Sequence, residues 1–155
     1  MTDRIPSLPA RPIASIPVTA VSLGCMNLSH AYDVAPPEED AIRLLNRALD
    51  LGVTHLDSAA LYGSGSNERL LAKAVSHRRK DFHLASKCVL DLIDGQRVLD
   101  ARPETIVGSL ERSLQRLGTD YIDLYYMHRL DRKVPIEESM GALVRAKEAG
   151  KIGAI

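Results

Sequence analysis

The chain is 155 residues long, with 45% apolar and 26% charged side chains and a formal net charge of zero, from 20 Lys and Arg against 20 Asp and Glu. That length supplies one ordinary globular domain, and the balanced charge excludes a bulk basic field for nucleic acid and a polyanionic tail. Aromatic residues are scarce, with one Phe, five Tyr and no Trp, so the core has to come mainly from Leu, Ile, Val and Ala.

Residues 1–16, with Pro6, Pro9 and Pro12, read as an irregular lead-in. The longest stretch free of Asp, Glu, Lys and Arg runs from Pro12 to Tyr32, but Pro17, Thr19, Asn27, His30 and several Ser interrupt it. It is predicted neither to span a membrane nor to form the apolar core of a cleaved leader. Short apolar or β-branched runs then predict strands at Val18–Leu23, Val53–Asp57, Phe82–Lys87, Tyr121–His128 and Ile152–Ile155. Between them, helical spacing predicts helices at Glu38–Leu51, Asn67–Arg79, Pro103–Leu117 and Ile136–Ala149. Strand then helix, repeated, is the pattern of right-handed crossovers and a parallel sheet.

The helix boundaries carry their own signals. Glu38, Glu39 and Asp40 follow Pro36-Pro37 and place negative charge over the positive end of the first helix, whose Ile42, Leu45 and Leu49 form one apolar stripe. Gly52, Gly118 and Gly150 stand where three helices should stop, Pro103 suits a first turn, and Ser66 is expected to cap the second helix.

Ligands of parallel α/β folds gather at the carboxyl ends of the strands. Those ends here read Gly24-Cys25-Met26, Asp57-Ser58-Ala59 with Tyr62 just beyond, Ser86-Lys87 and Met127-His128. Side chains alternate faces along a strand, so Asp57, Lys87 and His128 can converge on one volume. A Lys beside an Asp in a closed interior pairs with it, and a Tyr beside that ammonium is tuned for general acid–base work. Parity alone assigns His128 no task.

Other motifs point to structure. Gly63-Ser64-Gly65-Ser66 lacks the Lys-Ser/Thr of a phosphate loop. His77-Arg78-Arg79-Lys80 complements a helix end and has no aromatic platform for nucleic acid. The five His show no spacing for zinc, so no metal is expected, and His55 reads as a satisfied histidine low in the fold. Cys25 and Cys88 are far apart and read as reduced thiols of a cytoplasmic protein, with Cys88 pointing away from the Lys87 side.

From Val18 to Ile155 the sequence resembles the aldo-keto reductases. The resemblance is carried by Leu23-Gly24-Cys25-Met26 with Leu28-Ser29-His30-Ala31-Tyr32, by Leu51-Gly52-Val53-Thr54-His55-Leu56-Asp57-Ser58-Ala59 with Tyr62-Gly63 and Ser66-Asn67-Glu68, by Ala85-Ser86-Lys87, and by Asp120-Tyr121-Ile122-Asp123-Leu124 leading to His128. It implies an oxidoreductase on a TIM (β/α)8 barrel that uses NADPH to reduce a small aldehyde or ketone, with a catalytic set of Asp57, Tyr62, Lys87 and His128. By the same resemblance Tyr62 protonates the carbonyl oxygen, Lys87 tunes it, Asp57 anchors Lys87 and His128 orients the carbonyl. Gly24, Cys25, Met26 and Asp57 would lie beside the nicotinamide, and loops after strands five to eight would supply most other cofactor contacts. The loops Cys25–Pro37, Cys88–Arg102 and Arg129–Pro135 would line part of the substrate pocket.

A complete barrel of this type takes about 250 residues. The predicted architecture is four β/α modules plus a fifth strand, a partial TIM barrel in which 1–155 is the N-terminal portion and the C-terminal half is absent. Its open sheet edges are expected to favour self-association. Two other readings stay open: a cofactor-binding regulatory protein like the subunits of some channels, and an inactive half-barrel.

Overall fold

The computed structural model describes residues 8–29 and 34–155. The motif residues His30-Ala31-Tyr32, and the first seven residues of the expected lead-in, lie outside the described residues. From Ala10 the expected irregular lead-in is instead an antiparallel hairpin of β1 (Ala10–Ile13) and β2 (Ile16–Thr19). Pro12 faces Pro17 in its register, which a two-stranded ribbon tolerates because each strand keeps a free edge.

The hairpin also shortens the first predicted strand. Thr19 donates its hydroxyl to the carbonyl of Val21 at 2.8 Å, turning the chain there, and only β3 (Leu23–Gly24) joins the main sheet. Thr19 and Thr54 each donate a backbone N–H to the other's Oγ1, at 2.9 and 3.0 Å, so the hairpin is fastened to the approach to the next strand.

The main sheet is parallel and runs in sequence order, β3, β4 (His55–Asp57), β5 (His83–Cys88), β8 (Ile122–Met127) and β9 (Ile152–Ala154). Helices α1 (Glu38–Asp50), α2 (Ser66–Val75), α3 (Pro103–Leu117) and α4 (Ile136–Glu148) alternate with the strands. Each predicted strand and helix has its counterpart. A second hairpin, β6 (Leu90–Ile93) and β7 (Gln96–Leu99), occupies the segment expected to be a simple loop after β5.

Helix α2 differs most from its expected form. It begins at Ser66 without any side-chain cap, because Gly65 at φ 83° turns the chain straight into it. It ends at Val75, and a 3-10 stretch follows to Asp81. The basic cluster explains the early end. Arg78 pairs with Asp50 and Asp81, and Arg79 donates to the carbonyls of Phe82 and Tyr121 and pairs with Asp123. Those contacts hold the chain across α1 and β8 instead of along a helix axis.

Two cores result from strand alternation. Leu56, Leu84, Cys88 and Tyr125 pack outward against Leu45, Leu71, Leu110 and Leu143 of the helices. Fully burying each such Leu is worth about 1.5–3 kcal/mol. On the opposite face, Ala85, Leu124 and Ala154 form a small cluster against Ile13 and Ile16 of the first hairpin. The hairpin thus closes the inner face at one end and leaves the carboxyl ends of the strands open. Among the described residues no helix is long and apolar enough to cross a membrane.

Candidate active site

In the sheet register Gly24 pairs with Asp57, Asp57 with Ala85, and Lys87 with Tyr126. In-register neighbours of a parallel sheet point the same way, so Asp57, Lys87 and Tyr126 share the inner face at its open end. Tyr62 reaches them from a tight turn after β4, where Gly63, Ser64 and Gly65 adopt φ of 54°, 50° and 83° in succession. Glycine suits two of these positions because a Cβ in this region is crowded by the backbone. With Met26, Met127, His128 and Arg129 these residues line an open cleft of about 470 Å³.

Lys87 is the hub. Its Nζ donates to Asp57 Oδ1 at 2.5 Å, to the carbonyl of Ser58 at 2.8 Å and to the phenol oxygen of Tyr62 at 3.1 Å. An ammonium has three protons, and these three acceptors use all of them. The Tyr62 oxygen is therefore the acceptor in its bond to Lys87, and its own hydrogen is free to be donated into the cleft. The rings of Tyr62 and His128 meet edge to face, with centroids 5.7 Å apart and planes at 86°.

Burial first, and then the charges of Lys87 and Arg129, lowers the pKa of His128 to about 4. Its imidazole is therefore neutral at ordinary pH and carries a single N–H. Nδ1 is buried without a partner among the described residues. Leaving an N–H unpaired in that position costs more than leaving a bare lone pair, which favours the tautomer with its hydrogen on Nε2, toward the cleft. Tyr126 stands on the same inner face, its pKa raised mainly by burial and then by the charge of Asp57.

The aldo/keto reductase family pattern matches residues 20–155. The chain belongs to that family. It is 42% identical over 151 residues to aldo-keto reductase yakc of Schizosaccharomyces pombe, whose name carries NADP(+), covering 94% of this chain and 44% of that protein. Among solved structures it superposes on an aldo-keto reductase from Bacillus halodurans in its holo form with a TM-score of 0.85 at 34% identity, over 94% of this chain and 48% of the other. It superposes on the glycerol dehydrogenase of Gluconobacter oxydans with a TM-score of 0.81 at 31% identity, over 97% and 47%. The chain spans about half the length of these relatives, and its fold is the corresponding part of a (β/α)8 barrel.

Within this aldo/keto reductase chain, Asp57, Tyr62, Lys87 and His128 come together and Met26 lines the same opening, while Gly24 lies beside Asp57 in the strand register. Cys25 differs: its side chain is fully buried in the helix-side core and its thiol donates to the carbonyl of Leu23. Burial, followed by the nearby charge of Asp57, pushes that thiol up to about 12. Only its backbone meets the site region, through an N–H donated to the carbonyl of Asp57 at 2.8 Å. Cys88 likewise faces the helices. His55 is buried with Nδ1 against Ser22 Oγ at 2.9 Å, while its Nε2 has no partner among the described residues.

Ser58, Ser86, Asn67 and Glu68 enter the sequence reading only as motif residues, with no role at the site, yet all four are buried polar side chains around the hub. A signal was available. Ser58 and Ser86 each adjoin a predicted site residue, and Asn67 and Glu68 sit beside the apolar residues Leu70 and Leu71 on the inward side of α2. Arg129, the first residue of a loop expected to line the pocket, does line the cleft beside His128.

Proposed function

We propose that this chain carries the proton-handling groups of a carbonyl reductase that reduces a small aldehyde or ketone to the alcohol with NADPH. The observation that supports it is the three-way seating of Lys87 Nζ on Asp57, Ser58 and Tyr62. The name of the yeast relative and the holo state of the bacterial structure speak for a nicotinamide cofactor. The residues present fit its reacting end. Gly24 pairs with Asp57, and no atom of the described residues lies within 4 Å of where a side chain on Gly24 would begin, so a flat ring can approach the backbone. Met26 offers an apolar wall in the same cleft.

When bound, the cofactor supplies a hydride to the carbonyl carbon. The protein's task is then the oxygen. Tyr62 donates its free hydrogen to that oxygen, and the negative charge left on the phenol faces the Lys87 ammonium. Asp57 pairs with Lys87 and holds it in place. His128, neutral, donates Nε2–H to the same oxygen and fixes the face presented to the cofactor.

The test is carbonyl-dependent loss of reduced-nicotinamide absorbance in the parent and in Tyr62→Phe. Turnover in the parent that falls at least a thousandfold in the variant is the expected result. Cofactor binding without turnover supports a regulatory role instead, and no binding supports an inactive half-barrel.

A further inference from the structure

Asn67 and Glu68, consecutive at the start of α2, are both completely buried. Asn67 accepts a hydrogen bond from the Ser58 hydroxyl at 2.7 Å and donates to the carbonyl of Cys25 at 2.8 Å and to Ser29 Oγ at 2.9 Å. Glu68 accepts from the Ser86 hydroxyl at 2.6 Å on one oxygen and from Arg116 Nε at 2.6 Å on the other. Ser58 follows Asp57 and offers its carbonyl to Lys87, and Ser86 immediately precedes Lys87. The turn that carries Tyr62 runs through Gly65 into Ser66, the residue just before this pair.

We infer that Asn67 and Glu68 are positioning residues that seat the Tyr62 turn on the two strands bearing its partners, Asn67 on the Asp57 strand and Glu68 on the Lys87 strand. The inference rests on the proposed role of Tyr62 only for its kinetic consequence.

Stability alone is a poor reason for this arrangement. A buried amide and a buried ion pair are matched or bettered by well-packed apolar groups of the same volume. A fully satisfied polar network instead selects a single geometry. The Tyr62 turn needs that selection, because three successive left-handed residues form no self-sustaining element. Gly65 shows how closely the seat is built: a Cβ there would lie 2.6 Å from Nε of the Arg116 that pairs with Glu68. Two neighbouring residues thus measure the distance between the phenol and the ammonium from two independent strands.

The experiment replaces the connecting hydroxyls, Ser58→Ala and Ser86→Ala, singly and together, leaving Tyr62, Lys87, Asn67 and Glu68 intact. The first readout needs no turnover. It is the 13Cζ resonance of Tyr62, assigned by its loss in Tyr62→Phe, and the 15N resonance of the Lys87 ammonium. Both are expected to move in the combined variant, while the ring of the exposed Tyr121 stays where it was.

In turnover, kcat is expected to fall about tenfold with KM for the carbonyl within about twofold, and the solvent deuterium isotope effect to rise as proton delivery becomes limiting. Unmoved resonances in folded variants overturn the inference. So does a fall in kcat that only follows the folded fraction with an unchanged isotope effect. Should the combined variant not fold, Ser86→Ala alone is read by the same signals and the same criteria. A parent without turnover defeats the functional reading, while the two resonances still decide this one.

Discussion

Lys87→Met separates the electrostatic task of the ammonium from its structural one. A cation 3.1 Å from the phenol oxygen attracts a full negative charge there by roughly 5 kcal/mol at an effective dielectric near 20. The neutral phenol already gains part of this, about 1.5–3 kcal/mol for a charged hydrogen bond. The difference, about 2–3.5 kcal/mol, appears only as the proton leaves, and corresponds to a loss of roughly 30- to 400-fold in kcat. The substitution also leaves Asp57 without its cation. Its side chain is 27% exposed, so the destabilisation should be about 1–2 kcal/mol, below that of a fully buried broken pair. Adding Asp57→Asn removes the stranded charge and should recover most of the stability with no recovery of rate. The assay is carbonyl-dependent oxidation of the reduced cofactor alongside a thermal melt. A Lys87→Met protein that turns over within threefold of the parent refutes the reasoning, as does a double variant in which rate and stability return together.

Two further outcomes follow from groups around the site. The His128 ring resonance should titrate with a midpoint near 4; because its pKa rises toward 6.5 on unfolding, it contributes stability that is complete above about pH 6.5 and lost as pH falls toward 4. His55, also lowered by burial, acts in the same direction, and a His128 midpoint near 6.5 by NMR contradicts this. Gly65→Ala should lower stability by about 1–3 kcal/mol in a urea titration, since φ is 83° and the new Cβ would meet Arg116; an unchanged midpoint refutes both grounds.

The parallel sheet and its helices were legible because each strand is a short apolar run and each helix an amphipathic stripe, patterns set by local geometry. The convergence of Asp57, Lys87 and His128 followed from strand parity, and Tyr62 was placed among them by its closeness to a strand end. What escaped was set by contacts distant in sequence. The first hairpin hides behind Pro12 and Pro17, which read as strand breakers until both lie in a ribbon with free edges. The end of α2 is decided by Arg78 and Arg79 reaching Asp50 and Asp123, which no helical period encodes. Cys25 sits at the right strand end, but its side chain turns into the core and only its main chain meets Asp57.

The spent protons of Lys87 also explain why the position calls for an amine and not simply for a positive charge. Its three acceptors belong to a carboxylate, a main-chain carbonyl and a phenol, arranged around one tetrahedral nitrogen. A guanidinium is flat and spreads its donors in a plane, so arginine at this position could satisfy two of them only by abandoning the third. The shape of one nitrogen atom, as much as its charge, is what the fold has been built around.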